Sequence, residues 1–299
     1  MTNHRQRIRS MDGRFLSFMS LGDSNGAPVM YFHGTPSSAA EARLFGTSDD
    51  IARHGLHLIA IDRPGSAAST FYRGRRILDW ASDVGEVADK LGLDRFSVLG
   101  YSGGGPYALA CAYAIGDRLT SVTTVSGTGP FDVPGATDAI APDSWRFMQL
   151  ARARPFASRA VSGVMGLMAR WAPQRMIAQA MRALPDPDAA VLREPDLAAA
   201  FVRMVYETTH GSPRGAQHDT ALMISPWGFD PAAITGRVTV WHGTEDRNAP
   251  PAMARWLASR IPDVELHWLD GEGHVSAAAK HAPLILDHIQ ADRRPIVSG

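Results

Sequence analysis

The chain has 299 residues, of which 30 are basic and 30 are acidic, so its formal net charge at pH 7 is zero. This balance argues against nucleic acid or an acidic membrane surface as a partner, because both bind basic surfaces. The single cysteine, Cys111, excludes an intramolecular disulfide and a cysteine-based zinc or iron–sulfur site. A chain of this length can bury a large core, so we expect one large domain, or one domain that carries an insertion.

Targeting and cofactor signals are absent from the sequence. No apolar segment follows the basic N-terminus, and no stretch approaches the roughly 18 uninterrupted apolar residues of a membrane-spanning helix. We therefore expect no membrane insertion and a cytoplasmic location. The sequence has no glycine-rich nucleotide-binding motif and no metal-ligand spacing, so we expect no cofactor and no metal. The choice between a monomer and a homodimer stays open.

The first 130 residues alternate short apolar runs with helical patterns, which is typical of a mostly parallel sheet. Two short strands flank Asp12-Gly13 and are predicted to form an antiparallel hairpin. Further strands are predicted at 29–32, 56–61, 96–99 and 122–126, and helices at 39–54, 77–91 and 109–115.

The pattern changes after Gly127. From about 131 to 227 the chain is helical, rich in methionine and punctuated by proline, and it has no predicted strand. The alternation then resumes, with strands predicted at 237–241 and 264–268 and helices at 251–259 and 276–289. We therefore predict an α/β core over 1–130 and 228–299, interrupted by a helical segment over 131–227, called the insertion below.

The segment Gly100-Tyr101-Ser102-Gly103-Gly104 matches the pattern G-x-S-x-G between a predicted strand and a predicted helix. In this context the turn is sharp, and it projects the serine hydroxyl above the edge of the sheet. Glycines are needed because the strained turn leaves no room for side chains two residues to either side. A glycine-rich turn that only packs a helix against a strand is the alternative, but the flanking elements favour Ser102 as a nucleophile.

A serine nucleophile needs a base, which an acid in turn orients. In this architecture the order along the chain is serine, acid and histidine, each on a loop after a strand. His274 follows the last predicted strand and Asp246 follows the preceding one, so both are expected at the carboxyl ends of parallel strands. Glu245 and Asp132 are the alternative acids.

Acyl transfer also needs N–H donors for the developing oxyanion. Gly103 follows the candidate nucleophile at a helix N-terminus, where the helix dipole favours negative charge. A second donor is expected from the loop His33-Gly34-Thr35-Pro36, and because proline has no N–H, Thr35 is the candidate. The alternative is that this loop is only a strand-to-helix turn.

Together these motifs resemble the α/β-hydrolase fold superfamily over essentially the whole chain. The resemblance implies an α/β fold with an eight-stranded, mostly parallel sheet flanked by helices, and a helical cap inserted after strand 6. It also implies a Ser-Asp-His triad carried onto Ser102, Asp246 and His274. The matching elements are the His33–Pro36 loop, the turn Asp62-Arg63-Pro64-Gly65, the turn at Ser102, Asp246 and His274.

Within that superfamily the chain is similar to capped serine esterases, near the proline iminopeptidases and the cofactor-free haloperoxidases. It departs from the iminopeptidase pattern, because it has HGTPS where those enzymes have HGGPG, and Gly103 where they have tryptophan. Epoxide hydrolases and haloalkane dehalogenases use an aspartate nucleophile, so Ser102 argues against those reactions.

We predict a serine hydrolase that cleaves a small or medium, apolar carboxylic ester, thioester or lactone through an acyl-enzyme on Ser102. Peptide cleavage, carbon–carbon bond hydrolysis and perhydrolysis with the same triad stay open, as does a non-catalytic ligand-binding relative. The methionines and aromatic residues of the insertion suggest an adaptable apolar pocket, although they also serve to pack helices together. The residues predicted to line the substrate pocket are His33, Tyr101, Met148, Met204, Tyr206 and Trp227.

Overall fold

The computed structural model describes residues 5–209 and 214–292. The strands are β1 Gln6–Arg9, β2 Phe15–Gly22, β3 Ala27–Phe32, β4 Leu56–Ile61, β5 Phe96–Tyr101, β6 Leu119–Val125, β7 Val238–Gly243 and β8 Val264–Leu269. The α-helices are α1 Ser48–Arg53, α2 Asp79–Lys90, α3 Gly105–Ile115, α4 Pro142–Ala153, α5 Pro155–Trp171, α6 Pro173–Ala183, α7 Asp186–Val191, α8 Pro195–Thr209, α9 Arg214–Met223, α10 Pro251–Arg260 and α11 His274–Ala291.

Within the described residues, eight strands form one sheet in the order β1-β2-β4-β3-β5-β6-β7-β8. β1 and β2 pair antiparallel across the turn at Asp12-Gly13, and β2 pairs antiparallel with β4. The remaining pairs are parallel. The prediction of an eight-stranded, mostly parallel sheet is therefore confirmed. Because β3 to β8 run in one direction, the loops that follow them open at the same edge of the sheet.

The predicted helix over 39–54 is wrong as a single element. A 3₁₀ helix spans Ala39–Phe45, and α1 begins only at Ser48. Gly46 between them has a φ of 125°, which no helix accommodates. Thr47 then caps α1, because its Oγ1 accepts from the N–H of Asp50 while the Asp50 carboxylate accepts from the N–H of Thr47.

Helices cover both faces of the sheet, because successive strand residues point to opposite faces. One face buries a core with α2, α3 and α10 that includes Met30, Phe32, Val98, Trp80, Tyr107 and Leu257. The other face buries a core with the 3₁₀ helix and α11 that includes Val29, Tyr31, Leu99, Phe45, Ile285 and Ile289. The two cores together hold β3 and β5 in register, with their carboxyl ends side by side.

The chain between β6 and β7 leaves the sheet and forms α4 to α9, with no strand among its described residues. A helical insertion after the sixth strand was predicted, and this part of the fold matches. The insertion has a small apolar cluster of its own, in which Ala169, Met176 and Val205 are buried. Across the described residues, no helix is both long enough and apolar enough to cross a membrane.

Candidate active site

Ser102 lies at the sharp turn between β5 and α3, where the motif predicts a nucleophile. Its φ is 53°, in the left-handed region that costs a non-glycine residue on the order of 1–3 kcal/mol. A Cβ on Gly100 would lie 2.6 Å from the carbonyl oxygen of Gly104, so the turn has no room for a side chain there. The partly exposed serine is therefore held in a strained conformation at the edge of the sheet.

A chain of short polar contacts runs from Ser102 through His274 to Asp246. The Oγ of Ser102 lies 2.8 Å from Nε2 of His274, and Nδ1 of the same ring lies 2.8 Å from Oδ2 of Asp246. Because an ionised carboxylate only accepts, Nδ1 carries the ring proton, and the lone pair of Nε2 faces the serine hydroxyl. This arrangement can take a proton from Ser102 and stabilise the imidazolium that results.

Backbone amides fix the carboxylate of Asp246. Its Oδ1 accepts from the N–H groups of Asn248 and Ala249, each at 2.8 Å, which leaves Oδ2 for the imidazole. Asp246 is 1% exposed, whereas the alternative acids Glu245 and Asp132 are exposed to solvent. The carboxylate that the structure brings to the imidazole is therefore that of Asp246.

Burial and charge act in opposite directions on this pair. Burial disfavours the protonated ring of His274, but the charge and hydrogen bond of Asp246, followed by the charges of Asp188 and Glu41, outweigh burial and raise the pKa of His274. Burial also disfavours ionised Asp246, but the imidazole of His274, then His242 and a backbone N–H, lower the pKa of that carboxyl. The pair therefore stabilises the imidazolium that forms when the ring of His274 takes up a proton, while Asp246 stays ionised.

The loop after β3 lies directly against the residue that follows Ser102. A Cβ on Gly103 would lie 2.6 Å from Oγ1 and 3.1 Å from the backbone nitrogen of Thr35, so only glycine lets the two segments approach this closely. The structure therefore brings Thr35 and Gly103, the two predicted oxyanion donors, together beside Ser102.

The buried side chain of Arg63, in the turn after β4, holds this loop. Its guanidinium donates to the carbonyl oxygen of His33, to the carbonyl oxygen of Gly34 at 2.6 Å and to Oγ1 of Thr35 at 2.9 Å. Its Nε donates to Oδ2 of Asp219 in the insertion at 2.8 Å. The turn after β4 thus braces the loop that carries the candidate donor Thr35.

Two residues that were predicted to line the substrate pocket are instead buried beneath the site. His33 is 0% exposed, and its Nε2 accepts from the N–H of Arg63 at 3.2 Å while Nδ1 donates to the carbonyl oxygen of Gly34 at 2.8 Å. Burial, followed by the charge of Arg63, holds the pKa of His33 well below its usual range, so the ring is neutral. Tyr101 is 3% exposed, and its hydroxyl donates to the carbonyl oxygen of His274 at 3.2 Å.

The other predicted pocket residues lie in different surroundings. Trp227 is 5% exposed and packs in the core under α3 and α10, beside Phe229, so its assignment to the pocket is corrected to a core role. Met204 and Tyr206 are half-buried on α8 against the apolar cluster of the insertion. Met148 is half-buried on α4. For these last three, contact with substrate stays a prediction.

Two buried carboxylates beside the site were not predicted from the sequence. The carboxylate of Glu41 accepts from the N–H of Gly34 at 2.5 Å and from the hydroxyl of Tyr31 at 2.9 Å, and burial raises the pKa of Glu41. Asp188 in α7 accepts from the N–H of His274 at 2.9 Å. A lone acid among the alanines at 39–42 is the signal that marks Glu41, whereas no local pattern marks Asp188.

Comparison with known proteins identifies the family of the chain. A family model described as the alpha/beta hydrolase fold matches residues 27–278. The chain belongs to the α/β hydrolase fold family. A non-heme chloroperoxidase from Streptomyces lividans is 31% identical over 136 residues, which are 44% of this chain and 48% of that protein. The match therefore spans about half of the length of this relative.

Solved structures of other α/β hydrolases superpose on most of the chain. An alpha/beta hydrolase fold protein from Nakamurella multipartita gives a TM-score of 0.69 at 20% identity, over 97% of this chain and 99% of that one. A thermophilic esterase from Thermogutta terrifontis gives 0.69 at 19% identity, over 97% and 100%. An enol-lactonase from Burkholderia xenovorans LB400 gives 0.68 at 18% identity, over 96% and 99%. These likenesses show a shared fold.

One group of side chains in the described part of this α/β hydrolase has donor atoms close enough to hold a metal ion. Glu265 and His267 on β8 and His288 on α11 place their donor atoms within 4.8 Å of one another. Oε1 of Glu265 lies 2.9 Å from Nε2 of His267 and 3.5 Å from Nε2 of His288, and the His267 ring stacks on Trp241 at 4.0 Å. The sequence predicted no such cluster, because its members come from two separate elements.

Proposed function

We propose that this protein is a serine hydrolase that cleaves a small or medium, apolar carboxylic ester, thioester or lactone through an acyl-enzyme on Ser102. The observation that carries the proposal is the pair of 2.8 Å contacts that join Ser102 to His274 and His274 to Asp246. An esterase and an enol-lactonase among the proteins of the same fold support this class of substrate. The zero net charge of the chain suits an uncharged ester.

The proposed reaction has two halves. His274 takes the proton of Ser102 as Oγ attacks the substrate carbonyl, and Asp246 stabilises the imidazolium. The oxyanion accepts from the backbone N–H groups of Thr35 and Gly103. His274 then protonates the leaving alcohol, which leaves the acyl group on Ser102. In the second half His274 deprotonates a water molecule, the water attacks the acyl-enzyme, and the proton returns to Ser102 as the carboxylic acid departs.

We assign residues 131–227 as a cap over this site, on a core formed by 1–130 and 228–299. Polar contacts that join the insertion to the core support the assignment, and one of them reaches the backbone of His274. The carboxylate of Asp188 accepts a hydrogen bond from the backbone N–H of His274. The carboxylates of Asp219 and Glu207 accept hydrogen bonds from the guanidinium groups of Arg63 and Arg5.

A fluorophosphonate probe, which reacts with activated serines, tests the proposal together with p-nitrophenyl acetate and butyrate. The wild-type protein should be labelled and should hydrolyse both esters. Ser102→Ala should abolish labelling and lower kcat by on the order of 10⁶. Ser259→Ala, which removes an exposed serine of α10, is the matched control and should behave like wild type. A folded wild-type protein that is neither labelled nor active on these esters would overturn the proposal.

Perhydrolysis is a second candidate, because a relative matched over about half its length is a non-heme chloroperoxidase. In that reaction hydrogen peroxide, in place of water, attacks the acyl group on Ser102 and gives a peracid. Peracid formation from p-nitrophenyl acetate and hydrogen peroxide measures it directly. Peracid formed no faster by wild type than by Ser102→Ala would exclude this second activity.

A further inference from the structure

A side chain of the insertion reaches the backbone of the candidate base. Asp188 lies on the short helix α7, and its carboxylate meets the first turn of α11, the helix that begins at His274. Oδ2 accepts from the N–H of His274 at 2.9 Å, and Oδ1 accepts from the N–H groups of Val275 and Ser276, also at 2.9 Å. One carboxylate thus satisfies three amides that the helix itself leaves without partners.

The sequence around α11 explains why an acceptor from elsewhere is needed. The residue before His274 is Gly273, which has no side-chain oxygen to cap the helix. A Cβ on Gly273 would lie 2.5 Å from Oδ1 of Asp188, so the glycine also makes the space that the incoming carboxylate occupies. The local cap is therefore replaced by one that the insertion supplies.

The position of Asp188 gives it two ways to act on the imidazole. It is 1% exposed, so water does not compete for its hydrogen bonds or screen its charge strongly. Its contact with the backbone of His274 fixes the residue from which the ring projects, and its negative charge favours the protonated ring. The charged groups that act on the ring are Asp246, Asp188 and Glu41. The imidazole of His242 lies beyond Asp246. The ring centre of Tyr101 lies 5.3 Å from that of His274.

We propose that Asp188 is a positioning residue through which the insertion holds His274 in the position where Nε2 of its ring faces the Ser102 hydroxyl. The inference rests on the proposed function, because it assigns to the insertion control over the base of that reaction. When α7 packs against α11, the Asp188 carboxylate completes the first turn of α11 and aligns the ring. Displacement of α7 would leave the three backbone amides of that turn without this acceptor. The insertion thereby positions a residue of the proposed active site in addition to covering that site.

Asp188→Asn tests the proposal, because the amide keeps the shape of the side chain but loses the charge and places an NH₂ group toward one backbone N–H. We expect kcat on p-nitrophenyl acetate to fall by on the order of 10²-fold with KM little changed, since a ring displaced by about 1 Å is costly. The pH range over which kcat/KM falls on the acid side of its profile, called the acid limb below, should move to lower pH. Asp186→Asn, at an exposed acid of the same helix, is the matched control and should change neither quantity.

A titration of the His274 imidazole by NMR separates this inference from the proposed function. The His274→Ala spectrum assigns the resonance, and the measurement needs no substrate. We expect its midpoint to lie at lower pH in Asp188→Asn than in wild type and Asp186→Asn. An unmoved midpoint together with wild-type kcat would overturn the role of Asp188, whereas a wild-type protein inert to fluorophosphonate would overturn the proposed function alone.

A double variant separates positioning from simple helix capping. Gly273 has φ −91° and ψ −153°, an extended conformation with negative φ that is open to serine, and Asp188→Ala removes the carboxylate that a Cβ at 273 would meet. Asp188→Ala/Gly273→Ser should therefore recover much of the melting temperature that Asp188→Ala loses, because serine caps the helix locally. The acid limb of the double variant should stay at the lower pH expected for variants without the Asp188 charge. Full recovery of kcat and of the wild-type limb would reduce Asp188 to a cap and overturn the proposal.

Discussion

Arg63 and Asp219 form a buried ion pair, with 2.8 Å between Nε and Oδ2, that joins the turn after β4 to α9 of the insertion. The side chains are 0% and 1% exposed. Oδ1 of the same carboxylate pairs with Arg75 and accepts from the hydroxyl of Tyr107 at 3.2 Å. One carboxylate of the insertion therefore compensates two buried guanidinium groups, one of which holds the loop that carries Thr35.

Asp219→Asn should strongly destabilise the protein. The substitution removes the carboxylate charge with which the buried Arg63 and Arg75 pair, which costs about 3–5 kcal/mol of the free energy of unfolding. Urea denaturation followed by circular dichroism measures it. Asp263→Asn is the control, because Asp263 pairs with Arg237 at the surface and should contribute less than about 1 kcal/mol. Equal losses in the two variants would contradict a compensating role for Asp219.

Arg63→Lys should impair turnover more than substrate binding. An ammonium group cannot reproduce the planar set of contacts to two carbonyls, a hydroxyl and a carboxylate, so the loop with Thr35 should shift relative to Gly103. We expect kcat, calculated from the concentration of active sites that react with fluorophosphonate, to fall on the order of 10²-fold. KM should stay within a few-fold of wild type. A variant with wild-type kcat would show that Arg63 does not position the loop. The exposed Arg237→Lys serves as the control.

The parts of the site that carry local sequence signals were predictable. The order of Ser102, Asp246 and His274 follows from motifs at the ends of strands, and the parallel sheet brings those ends to one edge. The hairpin at Asp12-Gly13 was likewise evident, because its turn residues lie next to its strands. In each case the pattern that defines the element also places the side chain.

Contacts between distant elements were not predictable. Asp188 lies 86 residues from His274, and Asp219 lies 156 residues from Arg63, so no spacing pattern marks either carboxylate. The sequence also predicts Tyr101 as a residue of the substrate pocket. The pleat turns its side chain into the core instead, since successive strand residues face opposite sides of the sheet.

The pH dependence of kcat/KM should show an acid limb above the ordinary range of histidine, which is about 6.5. In the proposed mechanism deprotonated His274 is the base, so activity should be lost as pH falls through its pKa, which Asp246, Asp188 and Glu41 raise against the effect of burial. Rates on p-nitrophenyl acetate at saturating and limiting concentration between pH 4.5 and 9 measure the limb. A limb below the ordinary range would contradict this electrostatic account.

Asp246→Asn should lower kcat by on the order of 10⁴-fold, because an amide does not hold the proton on Nδ1 or stabilise the imidazolium. The acid limb of any residual activity should also shift to lower pH, since the charge that raises the pKa of His274 is lost. Glu245→Gln, at the adjacent exposed acid, is the matched control and should retain wild-type kinetics. The opposite ranking of the two variants would assign the acid to Glu245.

Gly103→Ala tests the contact between the two proposed oxyanion donors. The new Cβ would lie 2.8 Å from Cβ of Thr35, so the two backbones must separate and their N–H groups can no longer reach one oxygen. We expect kcat to fall about 10²–10³-fold with KM little affected, because the oxyanion exists only after attack. Gly116→Ala is the control, since a Cβ there meets no atom within 4 Å and its φ is −54°. Wild-type turnover in Gly103→Ala would place the oxyanion at donors other than Thr35 and Gly103.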